Sequence, residues 1–277
     1  MADTLESTIS YEYFHDGERE PIDERVLILR DDEDGSVRVI GSRVAFGTEL
    51  RVAVAFGSQE PGASSADRAV IASLEWIPDV TTDVVARRAE YVLAGRTLIV
   101  DVDGGADPAT GDDGEPPGRG DVHGGTDPAT VSGPDDGFVT SLPEGARLFP
   151  LLRVFSGPVV MACAAATVAD GAGVTVVVPD VRDPSKTDEF LAPVIDVRTA
   201  RDVGTEDVVV ERTESADEVE PATVFRYFGG SYDEDGAEVV VDAGGLLRRY
   251  AWDQPGAGFW DVRLAEVTGA WPRPNSW

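Results

Sequence analysis

Histidine and cysteine chemistry has little basis in this 277-residue sequence. There are two histidines: His15 lies in a turn beside Asp16, and His123 lies in a segment rich in glycine, proline and aspartate. The single cysteine, Cys163, is flanked by alanines, a setting typical of a small buried side chain. P-loop and dinucleotide-binding glycine patterns are absent as well. A Ser-His-Asp triad, a Cys-His pair or a histidine zinc site is therefore nearly excluded, and we expect no metal and no cofactor.

Carboxylates and arginines are the remaining candidates for catalysis or binding. Residues 179–188 (PDVRDPSKTD) contain Asp180, Arg182, Asp183 and Lys186, the only lysine of the chain. Paired aspartates can act as acid and base, and the cations can hold a phosphate or a carboxylate. A salt-bridged turn is the interpretation that we favour for this loop. A carboxylate-based enzyme acting on a small substrate through Asp180, Asp183 and Lys186 is the alternative.

Two arginines lie in an apolar stretch, residues 147–155 (RLFPLLRVF). An unpaired buried charge is very costly, so Arg147 and Arg153 must each meet a buried acid or the anionic group of a ligand. A structural ion pair is the simpler of these two interpretations. The other makes both arginines candidate binding residues for an anionic head group.

Aromatic residues cluster in the last third of the chain, where Tyr227, Tyr250 and Trp252 are candidate binding residues. Tyr250 and Trp252 are two positions apart, so on a β-strand they point to the same face of the sheet. Such a cluster is typical either of an ordinary core or of the lining of a hydrophobic ligand groove.

The charge balance excludes several classes of partner. The chain has 23 Lys+Arg against 52 Asp+Glu, a formal net charge of −29. A general nucleic-acid binder needs a basic surface, so we expect no nucleic-acid partner, and docking on anionic lipid is equally disfavoured. Hydrophobic residues still make up 42%, enough for a sizeable core. Few lysines and many carboxylates resemble the cytoplasmic proteins of extreme halophiles, and codon bias in a GC-rich genome is the alternative explanation.

Membrane and export signals are missing from the sequence. Residues 1–10 (MADTLESTIS) lack the basic and apolar regions of a signal peptide. The longest apolar stretch, residues 158–169 (PVVMACAAATVA), is too short to span a bilayer and predicts a buried strand. We therefore expect a soluble, cytoplasmic protein without stable membrane insertion.

Short runs of β-branched and aromatic residues between glycine, aspartate and proline turns dominate the chain and predict about fourteen strands. Residues 141–157 predict two short helical turns that end at Gly157, and residues 185–191 a short helix. The predicted fold is mainly β: one domain over residues 1–277, built as a large curved antiparallel sheet that forms a half barrel or a partly closed barrel. Residues 103–137, which lack leucine, isoleucine and aromatic residues, predict a disordered acidic insertion.

Four segments resemble a known family: SLPEGARLFPLLRVFSG, VTVVVPDV, FRYFGGSYD and VVVDAGGLLRRY. The last is similar to the final hairpin of the glycolipid-binding family, with Asp242, Gly245, Leu246 and Tyr250 in its Asp-x-x-Gly-Leu-x-x-x-Tyr pattern. The resemblance covers about half of the chain. It implies a half barrel like that of the lipoprotein carriers, in which a curved sheet with an apolar concave face wraps around short helices.

These observations favour a non-enzymatic binding protein with a hydrophobic or lipid-like ligand, such as an isoprenoid, in the concave face of the curved sheet. Arg147 or Arg153 would then lie near an anionic head group. The carboxylate enzyme at residues 180–186 is one alternative. The other is a protein-interaction module with a plugged groove, which is favoured if Leu148, Leu151, Leu152 and Phe155 fill the concave face.

Overall fold

A computed structural model describes residues 3–33, 35–56, 69–79, 84–103, 138–210, 218–230, 235–269 and 271. The predicted acidic insertion, apart from its first residue, lies outside these ranges. Sixteen strands are described: β1 Asp3–His15, β2 Glu18–Arg19, β3 Asp23–Asp31, β4 Val37–Ala45, β5 Thr48–Phe56, β6 Val70–Ile77, β7 Arg87–Ala94, β8 Thr97–Asp103, β9 Phe138–Ser141, β10 Arg147–Leu148, β11 Val174–Pro179, β12 Pro193–Val210, β13 Glu218–Phe228, β14 Ala237–Asp242, β15 Leu247–Gln254 and β16 Gly258–Gly269. One α-helix, α1, spans Ser156–Asp170, and a 3-10 turn at Arg153–Phe155 precedes it.

The strands form one large curved sheet in the order β10-β11-β12-β13-β14-β15-β16-β1-β3-β4-β5-β6-β7-β8-β9, with β2 paired to β1. Strand β16 pairs antiparallel with β1, so the two halves of the chain meet in mid-sheet. The sheet does not close, because β9 and β10 form its two edges. Hydrogen bonds hold the chain between these edges: Leu142 N–H donates to Arg96 O at 2.7 Å, and Phe149 N–H to Val177 O at 2.8 Å. The predicted mainly-β fold with a curved antiparallel sheet is confirmed.

Alternation of residue types explains which face of each strand is buried. In β1, Ile9, Tyr11 and Tyr13 point inward and are almost fully buried, while the residues between them are partly exposed. Inward residues from both halves of the sheet join one hydrophobic core. Helix α1 packs inside the curve, mainly against β12. The inward face of the sheet is therefore covered along most of its length.

The apolar run at residues 158–169 is a helix, and the predicted strand there is wrong. Five of its twelve residues are alanine, the strongest helix former, and a continuous apolar run does not by itself distinguish strand from helix. Val159, Val160 and Cys163 share the buried side of α1. The helix ends at Gly171, whose φ of 71° is the left-handed conformation typical of a helix C-terminus.

The predicted helical turns elsewhere are also mostly absent from the described chain. Residues 141–155 form the end of β9, the two-residue β10 and the single 3-10 turn. Pro143 and Pro150 lack the amide hydrogens that a helix needs, and Leu151 adopts a φ of 69°. Residues 185–191 form successive turns instead of a helix and end at Leu191, whose φ is 63°.

Candidate functional site

A group of polar side chains lies inside the sheet, across the centre of β1, β3 and β4. Tyr11 is opposite Glu24, and Glu24 is opposite Arg43, in the strand pairing. Glu24 points inward because it has the same parity as Val26 and Ile28, which belong to the core. The result is an acid with no exposed surface at all in the middle of an apolar face.

Both carboxylate oxygens of Glu24 accept hydrogen bonds. Oε2 accepts the hydroxyl of Tyr13 at 2.5 Å, and Oε1 accepts the backbone N–H of Arg153 at 2.6 Å. Burial raises the pKa of Glu24 above its ordinary value, although Arg43, the Tyr13 hydroxyl and Arg153 favour the carboxylate. Burial likewise raises the pKa of Tyr11 and of Tyr13. The Tyr11 hydroxyl is buried and has no hydrogen-bond partner among the described residues.

Arg153 connects this acid to the aromatic residues of β15, two strands away from β1 in the same sheet. Its guanidinium carbon lies 4.7 Å from the ring centre of Tyr250 and 5.0 Å from that of Trp252. Such cation–π contacts lower the cost of burying an arginine. The backbone of Arg153 is bound to Glu24, so this residue bridges two parts of the sheet. Arg153, Tyr250 and Trp252 are thus brought together.

The aromatic residues continue as a stack toward the end of the sheet. Trp252 stacks on Trp260 with ring centres 6.0 Å apart, and His15 stacks on Trp260 at 4.6 Å. Tyr227 meets Tyr250 edge to face at 6.4 Å, and its hydroxyl accepts a hydrogen bond from Arg198 at 3.0 Å. Tyr227, Tyr250 and Trp252 therefore belong to one connected aromatic cluster.

Arg147 lies elsewhere, on β10 near helix α1. Its guanidinium donates to the backbone oxygens of Gly145 and Ala146 at 3.2 and 3.3 Å, and it forms no ion pair with a carboxylate of the described chain. Burial lowers the pKa of Arg147. Burial also raises the pKa of the nearby Cys163 thiol to about 11, despite the opposing charges of Arg198 and Arg147. Arg147 and Arg153 thus have different surroundings, and Cys163 is a thiol at neutral pH.

The Asp180 loop is internally paired, and its charged residues are exposed except Asp180, whose side chain is 11% exposed. Asp180 accepts Arg182 at 2.5 Å, and Lys186 binds Glu189 at 3.0 Å. The hydrogen bond from Arg182 lowers the pKa of Asp180, and bonds from Ser185 lower that of Asp183. Each of these charged groups meets a neighbour from its own loop, so the geometry gives the carboxylate-enzyme alternative no support.

The same loop is anchored by its apolar end. Phe190 packs edge to face on Trp76 at 5.0 Å, and the Tyr91 hydroxyl donates to Leu191 O. These contacts join the turn after β11 to strands β6 and β7 of the other half of the sheet. The loop therefore covers one end of the core.

Residues 148–155, here called the inner segment, lie against the concave face. Leu148, Leu151, Leu152 and Phe155 are all buried and belong to the core. The packing is tight: a Cβ added at Gly41 would come within 2.6 Å of Leu152 Cδ1. Arg43 donates to Leu151 O at 3.3 Å, and Glu24 accepts from Arg153, so polar bonds also hold the inner segment in place.

Sequence reasoning missed Tyr11, Tyr13, Glu24 and Arg43. The signal for Glu24 was available, because in ERVLILR the acid has the same parity as the valine and isoleucine that the strand buries. The contacts of Arg153 with Tyr250 and Trp252 depend on how distant strands pair, which alternation within one strand does not specify.

Comparisons with known proteins give little further information. Neither a family model nor a curated protein matches the chain, so the resemblance to the glycolipid-binding family stays a prediction. Among solved structures, the chain is similar to a beta-barrel-like protein of domain of unknown function DUF1849 from Brucella abortus. That alignment has a TM-score of 0.44 and 9% identity, and it covers 96% of this chain and 98% of the other. Of the helices in the described ranges, none is both long and apolar enough to cross a membrane.

Proposed function

We propose that this protein is a non-enzymatic protein-interaction module, which binds through the outer surface of its sheet. The observation that carries the proposal is the burial of Leu148, Leu151, Leu152 and Phe155 against the concave face. Because its own chain occupies the groove, a small ligand would have to displace these side chains and break the Glu24–Arg153 hydrogen bond. The outer face needs no such rearrangement to bind a partner.

The test is whether the folded protein takes up an apolar probe. We expect native mass spectrometry to give no mass beyond that of the bare chain, 29.4 kDa, or of a whole number of chains, and a fluorescent fatty acid not to bind. Leu152→Ala, which opens a cavity in the core, should gain binding of a small apolar probe such as benzene. Leu27→Ala on the outer face is the matched control and should gain none. A wild-type protein that binds the fatty acid with one-to-one stoichiometry would contradict a filled interior.

A second candidate is the hydrophobic or lipid-like ligand expected from the sequence. The observation in its favour is the placement of the Arg153 guanidinium over the rings of Tyr250 and Trp252. In this proposal a ligand displaces the leucine side chains of the inner segment and its anionic head group binds Arg153, with Tyr227 in the same aromatic cluster and Arg147 as the alternative cation. Repeated recovery of lipid from the purified protein would favour it, and Arg153→Ala should then reduce the recovered lipid.

A further inference from the structure

The outer face of strands β3–β9 carries a row of apolar side chains. Cross-strand pairing links them in one line, here called the outer stripe: Leu5, Leu29, Arg38, Ala55, Ile71, Val92, Ile99 and Val139. Ile71, Ile99 and Val139 are 42%, 43% and 58% exposed. Arg38, the one polar member, is paired with Asp3. Neighbouring strands are about 4.8 Å apart, so eight strands span roughly 34 Å.

Single exposed apolar side chains are ordinary, but a contiguous row marks an interaction surface. The net charge is −29, yet no position of this row is an aspartate or a glutamate. Its length across the sheet corresponds to that of a protein–protein interface. The outer stripe therefore needs a partner surface.

A second row, four residues along each strand from the stripe, suggests which partner. This charged row consists of Arg25, Ser42, Arg51, Glu75, Arg88 and Asp103, one residue from each strand from β3 to β8. A two-fold axis parallel to the strands between β5 and β6 would place β3 of one copy over β8 of the other. Arg25 then faces the second copy's Asp103, and Arg51 faces its Glu75.

The charged row is thus complementary to itself, which is the requirement for a two-fold interface. Arg88 would face the neutral Ser42, so like charges are not opposed anywhere in the row. In the row between it and the outer stripe, the same axis places Glu90 opposite Ile40 and Asp101 opposite Leu27, at the margins of the interface. In the outer stripe, the same axis places Ala55 opposite Ile71 and Leu29 opposite Ile99. A large side chain therefore meets a small one beside the axis.

The surface at the axis is also hollow. A cleft of 620 Å³ lies along the charged row, and its lining includes Arg25, Arg51 and Glu75 together with Leu27, Ile40, Ala53 and Ser73. Because the outer face is convex, apolar contact is concentrated near the axis, at Ala53, Ala55 and Ile71. Long side chains such as Arg25 bridge the wider gap at the margins.

We propose that the outer stripe and the charged row form the interface of a two-fold homodimer. This inference rests on the proposed function as a protein-interaction module and names a second copy of the chain as the partner. A membrane is the poorer occupant, because carboxylates border the stripe and the net charge repels anionic lipid. Two copies with a charge of −29 also repel each other, so we expect dimerisation to strengthen as salt screens that repulsion.

Sedimentation velocity on the full chain, from about 1 to 100 µM protein at low salt and in molar KCl, tests the proposal. We expect a concentration-dependent shift from 29.4 kDa to twice that mass, and a smaller dissociation constant in molar KCl. Ile71→Arg should weaken dimerisation about 100-fold without changing the circular dichroism spectrum. Ile195→Arg is the matched control: Ile195 is also 42% exposed, but it lies on β12 outside both rows, so dimerisation should persist.

Charge reversal tests the symmetry itself. Arg51→Glu and Glu75→Arg should each weaken the dimer, because each places like charges opposite one another across the axis. The double variant should restore dimerisation, since it reverses both members of the Arg51–Glu75 pairs, within each chain as well as across the axis. Failure of the double variant to dimerise would overturn the two-fold arrangement.

A wild-type chain that stays monomeric throughout both salt series would overturn the homodimer. Binding of that monomer to liposomes of neutral phosphatidylcholine would overturn it too, and would assign the stripe to a membrane. Neither result depends on the fatty-acid experiment, which concerns the interior. The homodimer can therefore be disproved while the filled interior is supported, and the filled interior can be disproved while the homodimer is supported.

Discussion

Two carboxylates, Glu24 and Asp180, show how differently one chemical group behaves inside and outside the sheet. Glu24 is fully buried and has two hydrogen-bond donors, and its pKa is still raised. Asp180 lies at the start of a loop with its side chain 11% exposed and paired with one arginine, and its pKa is lowered. Hydrogen bonds therefore do not by themselves determine the direction of a pKa shift: the loss of water around Glu24 outweighs its partners.

The contrast also separates structural from dispensable charges. Glu24 holds the inner segment to β1 and β3, so its bonds join elements that are far apart in the chain. Asp180 binds Arg182, two residues away, which constrains only its own turn. A protein with 52 acidic residues can thus depend strongly on one of them.

Glu24→Ala should have the largest effect. It leaves the Tyr13 hydroxyl and the Arg153 N–H without an acceptor in the core and opens a cavity, so we expect a loss of about 3–5 kcal/mol in the free energy of unfolding. Urea denaturation measures it. Asp180→Ala is the loop counterpart; it removes only bonds from Arg182, whose own side chain is exposed, and should cost about 1 kcal/mol. Equal losses in the two variants would contradict the difference between the two regions.

Tyr13→Phe and Tyr11→Phe make the same comparison within one strand. Both tyrosines are buried on β1, but Tyr13 donates to Glu24 and the Tyr11 hydroxyl has no partner within the described ranges. Removing the Tyr13 hydroxyl should cost about 1–3 kcal/mol, whereas removing that of Tyr11 should be neutral or stabilising. Thermal unfolding of the two variants side by side provides the measurement, and a larger loss for Tyr11→Phe would show that the Glu24 bond is not the cause.

The smallest effect should be a pH dependence of opposite sign at the two acids. With its pKa raised in the folded state, Glu24 keeps its proton longer there, so its contribution to stability is present below its unfolded pKa of about 4.3 and is lost as pH rises through the folded value. The pKa of Asp180 is lowered, so its contribution is present above the unfolded pKa of about 3.9 and is lost as pH falls through the folded value.

The free energy of unfolding, measured from below about pH 4 upward for the wild type, Glu24→Gln and Asp180→Asn, separates the contributions of the two acids. Relative to wild type, Glu24→Gln should lose the decline toward higher pH, and Asp180→Asn the decline toward lower pH. A steeper decline toward higher pH in Glu24→Gln would reverse the sign assigned to Glu24.

Strands were the part of the fold that the sequence predicts best, because alternation and glycine turns are local signals. The run ERVLILR, for example, predicts strand β3, and its alternation puts Glu24 on the same buried face as Val26 and Ile28. The sequence predicts a strand where α1 lies, because a run of apolar residues without polar positions shows neither the 3.6-residue period of a helix nor the two-residue period of a strand. The shared face of Tyr250 and Trp252 is local, whereas the approach of Arg153 depends on how β15 and the inner segment meet.

The pairing of β1 with β16 has a consequence for how the molecule is made. Ser7 is opposite Gly269, so this seam joins residues from opposite ends of the sequence. Contacts of such long range slow folding, because the intervening loop must be ordered before they form. During synthesis, β1 can pair with β3 early, but its other edge stays open until β16 has left the ribosome. The sheet is therefore completed only after translation has passed Gly269, and until then β1 presents an unpaired edge to other chains.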